Sequence, residues 1–170
     1  YDTAFTSIFD GNGYQIRNLY INRTGTSYVG LFGVISGESA QLRNIGLTGK
    51  LMQVQGYNYV GGLVGYAKNA ARVEQSYVTG AVSGSSSVGG VAGRLYSNSI
   101  MNNSFASGAI SGSGSVGGLA GSIYSSAINT GFASGAVTGN SSVGGLTGYS
   151  SSSVITHSYW AVDTTGISST

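Results

Sequence analysis

Val116-Gly117-Gly118-Leu119-Ala120-Gly121 is the stretch that decides the fold, because close copies of it recur along the chain. The copies are Val60-Gly61-Gly62-Leu63-Val64-Gly65, Val88-Gly89-Gly90-Val91-Ala92-Gly93, Val143-Gly144-Gly145-Leu146-Thr147-Gly148 and a shortened first copy, Val29-Gly30-Leu31-Phe32-Gly33. The closing glycines stand at 33, 65, 93, 121 and 148, so the intervals are 32, 28, 28 and 27 residues. A fixed period of this size is typical of repeats that stack on one another, and it predicts one elongated domain.

A second block recurs between the copies of the first. Its copies are Asn44 to Leu51, Gln75 to Val82, Asn103 to Ile110, Thr130 to Val137 and the partial His157-Ser158-Tyr159-Trp160, and each follows an apolar residue: Leu42, Val73, Met101, Ile128 and Ile155. The blocks alternate at period two and are too short and too rich in glycine for helices. They predict an all-β fold: a parallel β-solenoid of five to six coils, each of about 28 residues with two or three short strands. The crossover preference of parallel strands predicts right-handed winding.

The repeat also divides the chain. Residues 1–28 form an atypical first coil, residues 29–157 the repeats and residues 158–170 a C-terminal cap or tail. Serine- and glycine-rich segments between the blocks have a constant length, which favours ordered corners over flexible linkers. Gln75, Asn103 and Thr130 are expected to form a ladder of side-chain hydrogen bonds at one corner. Tyr1 opens the sequence without an initiator methionine, so we expect a piece of a longer protein.

Alternation assigns side chains to the two sides of each strand. The predicted inward columns are Leu47, Val78, Ala106 and Ala133, and Leu51, Val82, Ile110 and Val137. The predicted outward columns are Thr48, Thr79, Ser107 and Ser134, and Lys50, Ala81, Ala109 and Ala136.

The same parity places Tyr77, Phe105, Phe132 and Tyr159 in an outward aromatic ladder. A bulge at the neighbouring corner would instead turn these rings into the core. In the outward alternative they form a candidate interaction surface together with Thr79, Ser107 and Ser134. A second edge is expected to carry Tyr66, Tyr96, Tyr124 and Tyr149.

Charge is scarce and excludes several functions. Seven basic and five acidic residues give a net charge of +2, and residues 95–162 contain no Asp, Glu, Lys or Arg. Without a basic cluster the sequence predicts no nucleic-acid partner. No apolar run reaches the length of a membrane span, so we expect no membrane insertion.

No residue pattern predicts catalysis, a cofactor or a metal. There is one histidine, His157, and no cysteine. The acids are Asp2, Asp10, Glu38, Glu74 and Asp163, and no two share a repeat column at close spacing, as a polysaccharide-cleaving site would require. Gly112-Ser113-Gly114 lacks the following helix that a phosphate-binding loop needs.

The Val-Gly-Gly-Leu-x-Gly copies, the Asn-Ser-Phe-Ala-Ser-Gly-Ala-Ile type of block and the opening Phe9-Asp10-Gly11-Asn12-Gly13 resemble the GLUG-motif repeat family. Ser158 to Gly166 resembles the way such arrays end. The resemblance implies a secreted or cell-surface bacterial setting, in adhesin-like exoproteins or in accessory regions of IgA-specific metallopeptidases. It implies no catalytic residue.

These observations favour a non-enzymatic structural or adhesive module, a stiff spacer with a repetitive surface. The partners it could meet are a host or matrix glycan or protein, or further copies of itself, end to end or side by side. A carbohydrate-binding or carbohydrate-cleaving β-helix is the alternative. A fibre-forming solenoid and an ice-binding solenoid are further alternatives; the ice-binding one is weakened because only one hydroxyl column is present.

Overall fold

The computed structural model describes residues 3–162 and 166, and these form a parallel β-solenoid. Each strand pairs in parallel with its counterpart one coil away, for example Tyr77 with Phe105 and Val88 with Val116. The predicted fold class and repeat length are confirmed, with five coils and the start of a sixth. The C-terminal cap or tail predicted over residues 158–170 lies partly outside the described residues. Asp2 and Asp163 lie outside them entirely.

The 26 strands of the described chain fall into successive coils. The first coil contains β1 (Ile8–Asp10), β2 (Gln15–Arg17), β3 (Tyr20–Asn22) and β4 (Phe32–Ser36). The second contains β5 (Gln41–Arg43), β6 (Gly46–Thr48), β7 (Gln53–Gln55), β8 (Asn58–Gly61) and β9 (Val64–Lys68). The third contains β10 (Arg72–Glu74), β11 (Tyr77–Val78), β12 (Ala81–Ser83), β13 (Ser86–Gly89) and β14 (Ala92–Tyr96). The fourth contains β15 (Ile100–Asn102), β16 (Phe105–Ala106), β17 (Ile110–Ser111), β18 (Val116–Gly117) and β19 (Ala120–Tyr124). The fifth contains β20 (Ala127–Asn129), β21 (Phe132–Ala133), β22 (Val137–Thr138), β23 (Val143–Gly144) and β24 (Thr147–Ser151), and the sixth begins with β25 (Val154–Thr156) and β26 (Tyr159–Trp160).

Strands in equivalent positions build five sheets, which we number as faces in chain order. Face 1 is β1-β5-β10-β15-β20-β25, face 2 is β2-β6-β11-β16-β21-β26, face 3 is β3-β7-β12-β17-β22, face 4 is β8-β13-β18-β23 and face 5 is β4-β9-β14-β19-β24. A full coil has five strands rather than the predicted two or three, because corners interrupt each recurring block. The corner between faces 1 and 2 is made by residues with left-handed φ: Asn44, Gln75, Asn103, Thr130 and His157, at 48° to 56°.

The core is one stack of inward columns. Leu47, Val78, Ala106 and Ala133 are buried, as predicted, and so are Val82, Ile110 and Val137. The column that precedes each second block is continuous from Phe9 through Leu42, Val73, Met101 and Ile128 to Ile155. It is fully buried in the middle, whereas Phe9 and Ile155 at its ends are 38% and 37% exposed.

Leu51 was predicted to be inward, and this prediction is wrong. Its side chain is 72% exposed, and Val54 pairs with Val82 in its place. The second coil is longer than the coils that follow it, and the additional residues form a turn in which Gly49 has a φ of 109°. Lys50 lies in the same turn and is exposed, but Gln53 and not Lys50 pairs with Ala81.

The glycines of the Val-Gly-Gly-Leu-x-Gly motif allow close approach between backbones. A Cβ on Gly65 would lie 2.6 Å from the backbone nitrogen of Val29, and one on Gly93 2.5 Å from that of Val60. Across the core, a Cβ on Gly118 in the fourth coil would lie 2.6 Å from the Cβ of Ala133 in the fifth. Any side chain at these positions would separate coils or widen the core, so the motif serves packing.

The predicted corner ladder of Gln75, Asn103 and Thr130 is also corrected. These three residues are exposed, and the side-chain ladder runs one residue earlier, at the ends of the face 1 strands. The Asn129 amide donates to Asn102 Oδ1 at 2.9 Å, and the Thr156 hydroxyl donates to Asn129 Oδ1 at 2.6 Å. Residues within a parallel strand stack directly on their counterparts, so the side-chain amides of Asn102 and Asn129 come within hydrogen-bond distance.

Both ends of the stack carry aromatic side chains. In the first coil the Phe32 ring lies 5.1 Å from that of Phe5 and 5.3 Å from that of Phe9. At the other end Trp160 packs against the core and would meet any side chain placed at Gly145. Aromatic rings therefore cover part of the core at both terminal coils.

Candidate interaction faces

The predicted aromatic ladder lies on face 2 and points outward. Phe105, Phe132 and Tyr159 are 39%, 43% and 65% exposed, and Tyr77 is half-buried. All four occupy one column, because Tyr77 pairs with Phe105, Phe105 with Phe132 and Phe132 with Tyr159. The structure thus has the outward arrangement and not the bulged one.

Tyr77 is less exposed than the other rings because it leans over the coil before it. A Cβ on Gly46, its partner on β6, would lie 2.5 Å from Tyr77 Cζ, so the ring occupies the space that this glycine leaves. The Tyr77 hydroxyl accepts a hydrogen bond of 2.8 Å from Gln15 Nε2 in the first coil. This end of the ladder is therefore held in place by two coils.

Hydroxyl groups line the ladder on one side. Thr79, Ser107 and Ser134 point away from the core, as predicted. The Thr79 hydroxyl donates to the Leu47 carbonyl at 3.4 Å, which anchors it to the coil before. Face 2 thus combines partly exposed aromatic rings with one hydroxyl for each coil.

A second and larger aromatic surface lies on face 5 and at the corner leading to face 4. We call it the tyrosine face; its members are Tyr28, Tyr59, Tyr66, Tyr96, Tyr124 and Tyr149. Neighbouring ring centroids are 5.0 to 6.4 Å apart along the whole series. Tyr96 and Tyr149 are the most open, at 40% and 41% exposed.

Arg94 lies in the middle of the tyrosine face. Its guanidinium carbon is 4.3 Å from the ring centroid of Tyr124, 5.0 Å from that of Tyr96 and 5.6 Å from those of Tyr59 and Tyr66. Arg94 Nη1 donates to the Tyr59 hydroxyl at 3.5 Å, and its buried Nε has no hydrogen-bond partner. A cation surrounded by four ring faces is held in a fixed position.

The tyrosine face carries positive charge only. Lys68 lies 5.8 Å from the Tyr66 centroid, and none of the nine strands of faces 4 and 5, as the structure describes them, contains Asp or Glu. Burial raises the pKa of Tyr66, an effect that the charge of Arg94 partly offsets, so its hydroxyl stays protonated at neutral pH.

The sequence predicted this surface only in part. Tyr66, Tyr96, Tyr124 and Tyr149 were expected on one edge, but Tyr28, Tyr59 and Arg94 were not joined to them. The signal was present, since Tyr28 and Tyr59 each precede a motif valine and Arg94 stands where Tyr66 stands in the coil before. The sequence alone does not show that the corner and face 5 meet.

Two ion pairs lie elsewhere on the described chain. Arg43 Nε donates to Asp10 Oδ2 at 2.9 Å, and Arg72 lies 3.7 Å from Glu74. The pKa of Asp10 is lowered by the hydrogen bonds that its carboxylate accepts from the Asn44 side-chain amide, the Asn12 backbone N–H and Arg43. His157 is exposed at a corner. Within the described residues no three His, Asp or Glu side chains form a group that could hold a metal ion, and no helix there is long and apolar enough to cross a membrane.

The sequence of this chain is similar to a known repeat motif and to segments of two larger proteins. The model of the GLUG motif matches residues 56–83, which run from β8 to β12. A protein of Evansella cellulosilytica named "Putative Gly-rich membrane protein" is 50% identical over 52 residues, 31% of this chain and 6% of that protein. "Halomucin" of Haloquadratum walsbyi is 38% identical over 101 residues, 44% of this chain and 1% of that protein.

One solved structure shares the fold over nearly the whole chain. It is described as a "putative immunoglobulin A1 protease" from Bacteroides ovatus, with a TM-score of 0.74 and 26% identity. The alignment covers 92% of this chain and 52% of the other. The predicted resemblance to GLUG-motif repeats is confirmed, and the chain spans only a part of each protein it matches.

Proposed function

We propose that this chain is a non-enzymatic spacer module of a secreted or cell-surface protein, and that face 2 presents a repetitive interaction surface. The observation that carries the proposal is the register: all five faces run without interruption from coil to coil, so bending the rod would break hydrogen bonds on several faces at once. A structural repeat module of this kind needs no catalytic group, which agrees with the scattered placement of the charged residues.

The extracellular setting is supported by the relatives. One relative is named as a membrane protein, one as halomucin, and the solved structure is named as a putative protease. The chain covers only a small part of the first two. A module that is a minor part of very large proteins fits a role in spacing or presentation.

Stiffness can be measured directly because the chain has no cysteine. Gln15 and Tyr159 share one outward column, five coil steps apart. Spin labels on Gln15→Cys and Tyr159→Cys should report one narrow distance distribution, centred near the sum of five strand spacings, about 24 Å, plus the label linkers. A broad distribution would contradict the spacer proposal.

Carbohydrate binding by face 2 is the second candidate, favoured by the exposed rings of Phe105 and Phe132. A glycan array distinguishes carbohydrate binding from the spacer function. It is probed with the wild-type chain and with a Tyr77→Ala/Phe105→Ala/Phe132→Ala variant. Binding that is lost in the variant while its circular dichroism is unchanged supports a lectin-like role. No binding by either protein leaves the spacer as the function.

A further inference from the structure

We propose that the tyrosine face is a binding site for acidic polysaccharides, in which Arg94 holds a sugar carboxylate and the pyranose rings stack on Tyr96 and Tyr149. The site is separate from the aromatic ladder of face 2 and does not depend on the spacer role. Three observations on this face lead to it: a cation without an ion pair, open rings beside it and an absence of acids on the strands around it.

Arg94 is the last charged residue before two coils without charge. Like Arg17, Arg23, Lys50 and Lys68 it has no ion pair among the described residues, whereas Arg43 and Arg72 are each paired with a carboxylate. Among the unpaired cations Arg94 is the one enclosed by four rings. No charged residue follows it until Asp163, so coils four and five are uncharged over residues 100–151. The guanidinium is nearest to the Tyr124 ring, which belongs to coil four, so its charge lies over the uncharged coils.

The surroundings of the Arg94 guanidinium favour binding of an external anion. The four surrounding rings exclude part of the water that would otherwise screen it, which strengthens its attraction to a carboxylate. A guanidinium has five N–H donors in a planar fork, and the structure pairs Nη1 with Tyr59 through a long bond of 3.5 Å. The acid closest in sequence to the face 4 and face 5 strands is Glu38, which follows β4 in the first coil.

The rings beside Arg94 are arranged for a chain of sugars. Tyr96, Tyr124 and Tyr149 come from three consecutive coils, with centroid separations of 6.4 and 5.1 Å. Tyr96 and Tyr124 share one column, and Tyr149 lies in the adjacent column that contains Arg94 and Ser122. A linear polymer laid along the solenoid axis would therefore pass one ring for each coil, with a sideways step at Tyr149. The C–H face of a pyranose packs on an aromatic ring, and the tyrosine hydroxyls can exchange hydrogen bonds with its hydroxyls.

The same features disfavour other macromolecules. Two cations, Arg94 and Lys68, are too few for a nucleic-acid backbone. A stable protein interface needs an apolar centre, whereas the rings here carry hydroxyl groups and surround a cation. An acidic sugar polymer uses both the charge and the hydroxyl-bearing rings.

The test measures affinity for hexasaccharides of galacturonate, mannuronate and hyaluronan by calorimetry. The fully methyl-esterified galacturonate hexamer serves as a neutral ligand of the same backbone, and poly-glutamate as an acid without sugar rings. Arg94→Tyr removes the charge and inserts the residue that coil two carries as Tyr66, so the fold should be kept. Arg72→Gln is the matched control: it removes a positive charge from the same coil and inserts the residue that coil two carries as Gln41.

We expect at least one acidic hexamer to bind, Arg94→Tyr to weaken it about tenfold or more and Arg72→Gln to change it less than twofold. Tyr149→Ser, which inserts the residue that coil four carries as Ser122, should also weaken binding, and the face 2 triple variant should not. Circular dichroism and melting temperature establish that each variant is folded. The proposal is overturned if none of the three acidic hexamers binds, if the methyl ester or poly-glutamate binds as well as they do, or if Arg94→Tyr and Arg72→Gln have equal effects.

Discussion

The ring of Tyr77 lies parallel to the ring of Phe105, with 4.8 Å between centroids and 3° between planes. The separation equals the distance between neighbouring strands, so the stack follows directly from the in-register pairing of these two residues. A surface feature of the solenoid is therefore also a contact between coils. Aromatic pairs contribute about 0.5–1.5 kcal/mol beyond the area they bury.

Removing this stack should destabilise the chain even though the rings face solvent. We expect Tyr77→Ala to lower the free energy of unfolding by about 1–2 kcal/mol, because it removes the ring contact and the hydrogen bond from Gln15. Urea unfolding followed by circular dichroism measures the loss. Tyr159→Ala, at the open end of the same column and 65% exposed, should cost about 0.5 kcal/mol or less. Equal losses would show that the stack does not join the coils.

The sequence predicted those features that repeat in every coil. The 28-residue period and most of the inward columns follow from copies compared with one another. Leu51 was misplaced because the second coil has additional residues, and an alignment by residue type does not show where a turn inserts them. The five strands per coil were missed because the corners depend on left-handed residues such as Gln75 and Asn103, whose type does not identify them.

Close backbone contact at the motif glycines gives a sharper prediction. We expect Gly93→Ala to destabilise the chain by about 3 kcal/mol, because its Cβ would meet the Val60 backbone of the neighbouring coil and backbone atoms cannot turn aside. Thermal and urea unfolding measure the change.

Gly25→Ala is the control for this substitution. Gly25 lies in an exposed turn, and a Cβ there meets nothing within 4 Å. The alanine should be neutral or stabilise by up to about 1 kcal/mol, by restricting the unfolded chain. If Gly93→Ala proved as mild, the motif would not be explained by backbone proximity.

Ile128 and Ile155 provide a matched pair for the core. They have the same side chain in the same column, but Ile128 is buried between coils and Ile155 is 37% exposed in the last one. We expect Ile128→Ala to cost about 2–5 kcal/mol and Ile155→Ala less than half as much, because the end position leaves no closed cavity. The denaturant midpoints of the two variants, at constant m-value, measure the two stability losses. A larger loss for Ile155→Ala than for Ile128→Ala would contradict the position of Ile155 at the end of this column.

The candidate sites were less predictable than the core. The face 2 ladder was identified because its four rings share one column, and one column is visible in one recurring block. The tyrosine face joins a corner column containing Tyr28 and Tyr59 to strands carrying Tyr66, Arg94 and Tyr124. Only the way the chain turns between faces 4 and 5 brings these side chains together.

The Asp10 network predicts a loss of stability in acid. The pKa of Asp10 is lower in the folded chain than its ordinary value of 3.8, through the Asn44 and Asn12 hydrogen bonds first and Arg43 next. The carboxylate therefore stabilises the fold above the ordinary value, and this contribution disappears as the pH falls through the lower, folded value. Melting temperatures of the wild type and Asp10→Asn should differ at pH 6 and converge as the pH falls below the ordinary value of 3.8 and through the lower, folded pKa.

Glu38→Gln is the control for the acid experiment, since Glu38 is exposed and lies outside the Asp10 network. It removes the same charge, so it corrects for the overall change in net charge. A difference between wild type and Asp10→Asn that stayed constant from pH 6 to pH 2 would mean that the carboxylate charge has no part in it.

The two ends of the Phe9–Ile155 column determine how isolated copies of this chain meet. Among the described strands, β1 and β25 each have one edge without a paired strand, beside a partly exposed core residue, Phe9 at one end and Ile155 at the other. Since the two ends differ, stacking end to end is a heterologous contact that needs both. We expect concentration-dependent association in sedimentation velocity, suppressed by Phe9→Lys and equally by Ile155→Lys. If only Ile155→Lys acted, the contact would be a symmetric pair of last coils, which closes as a dimer and cannot extend into a fibre.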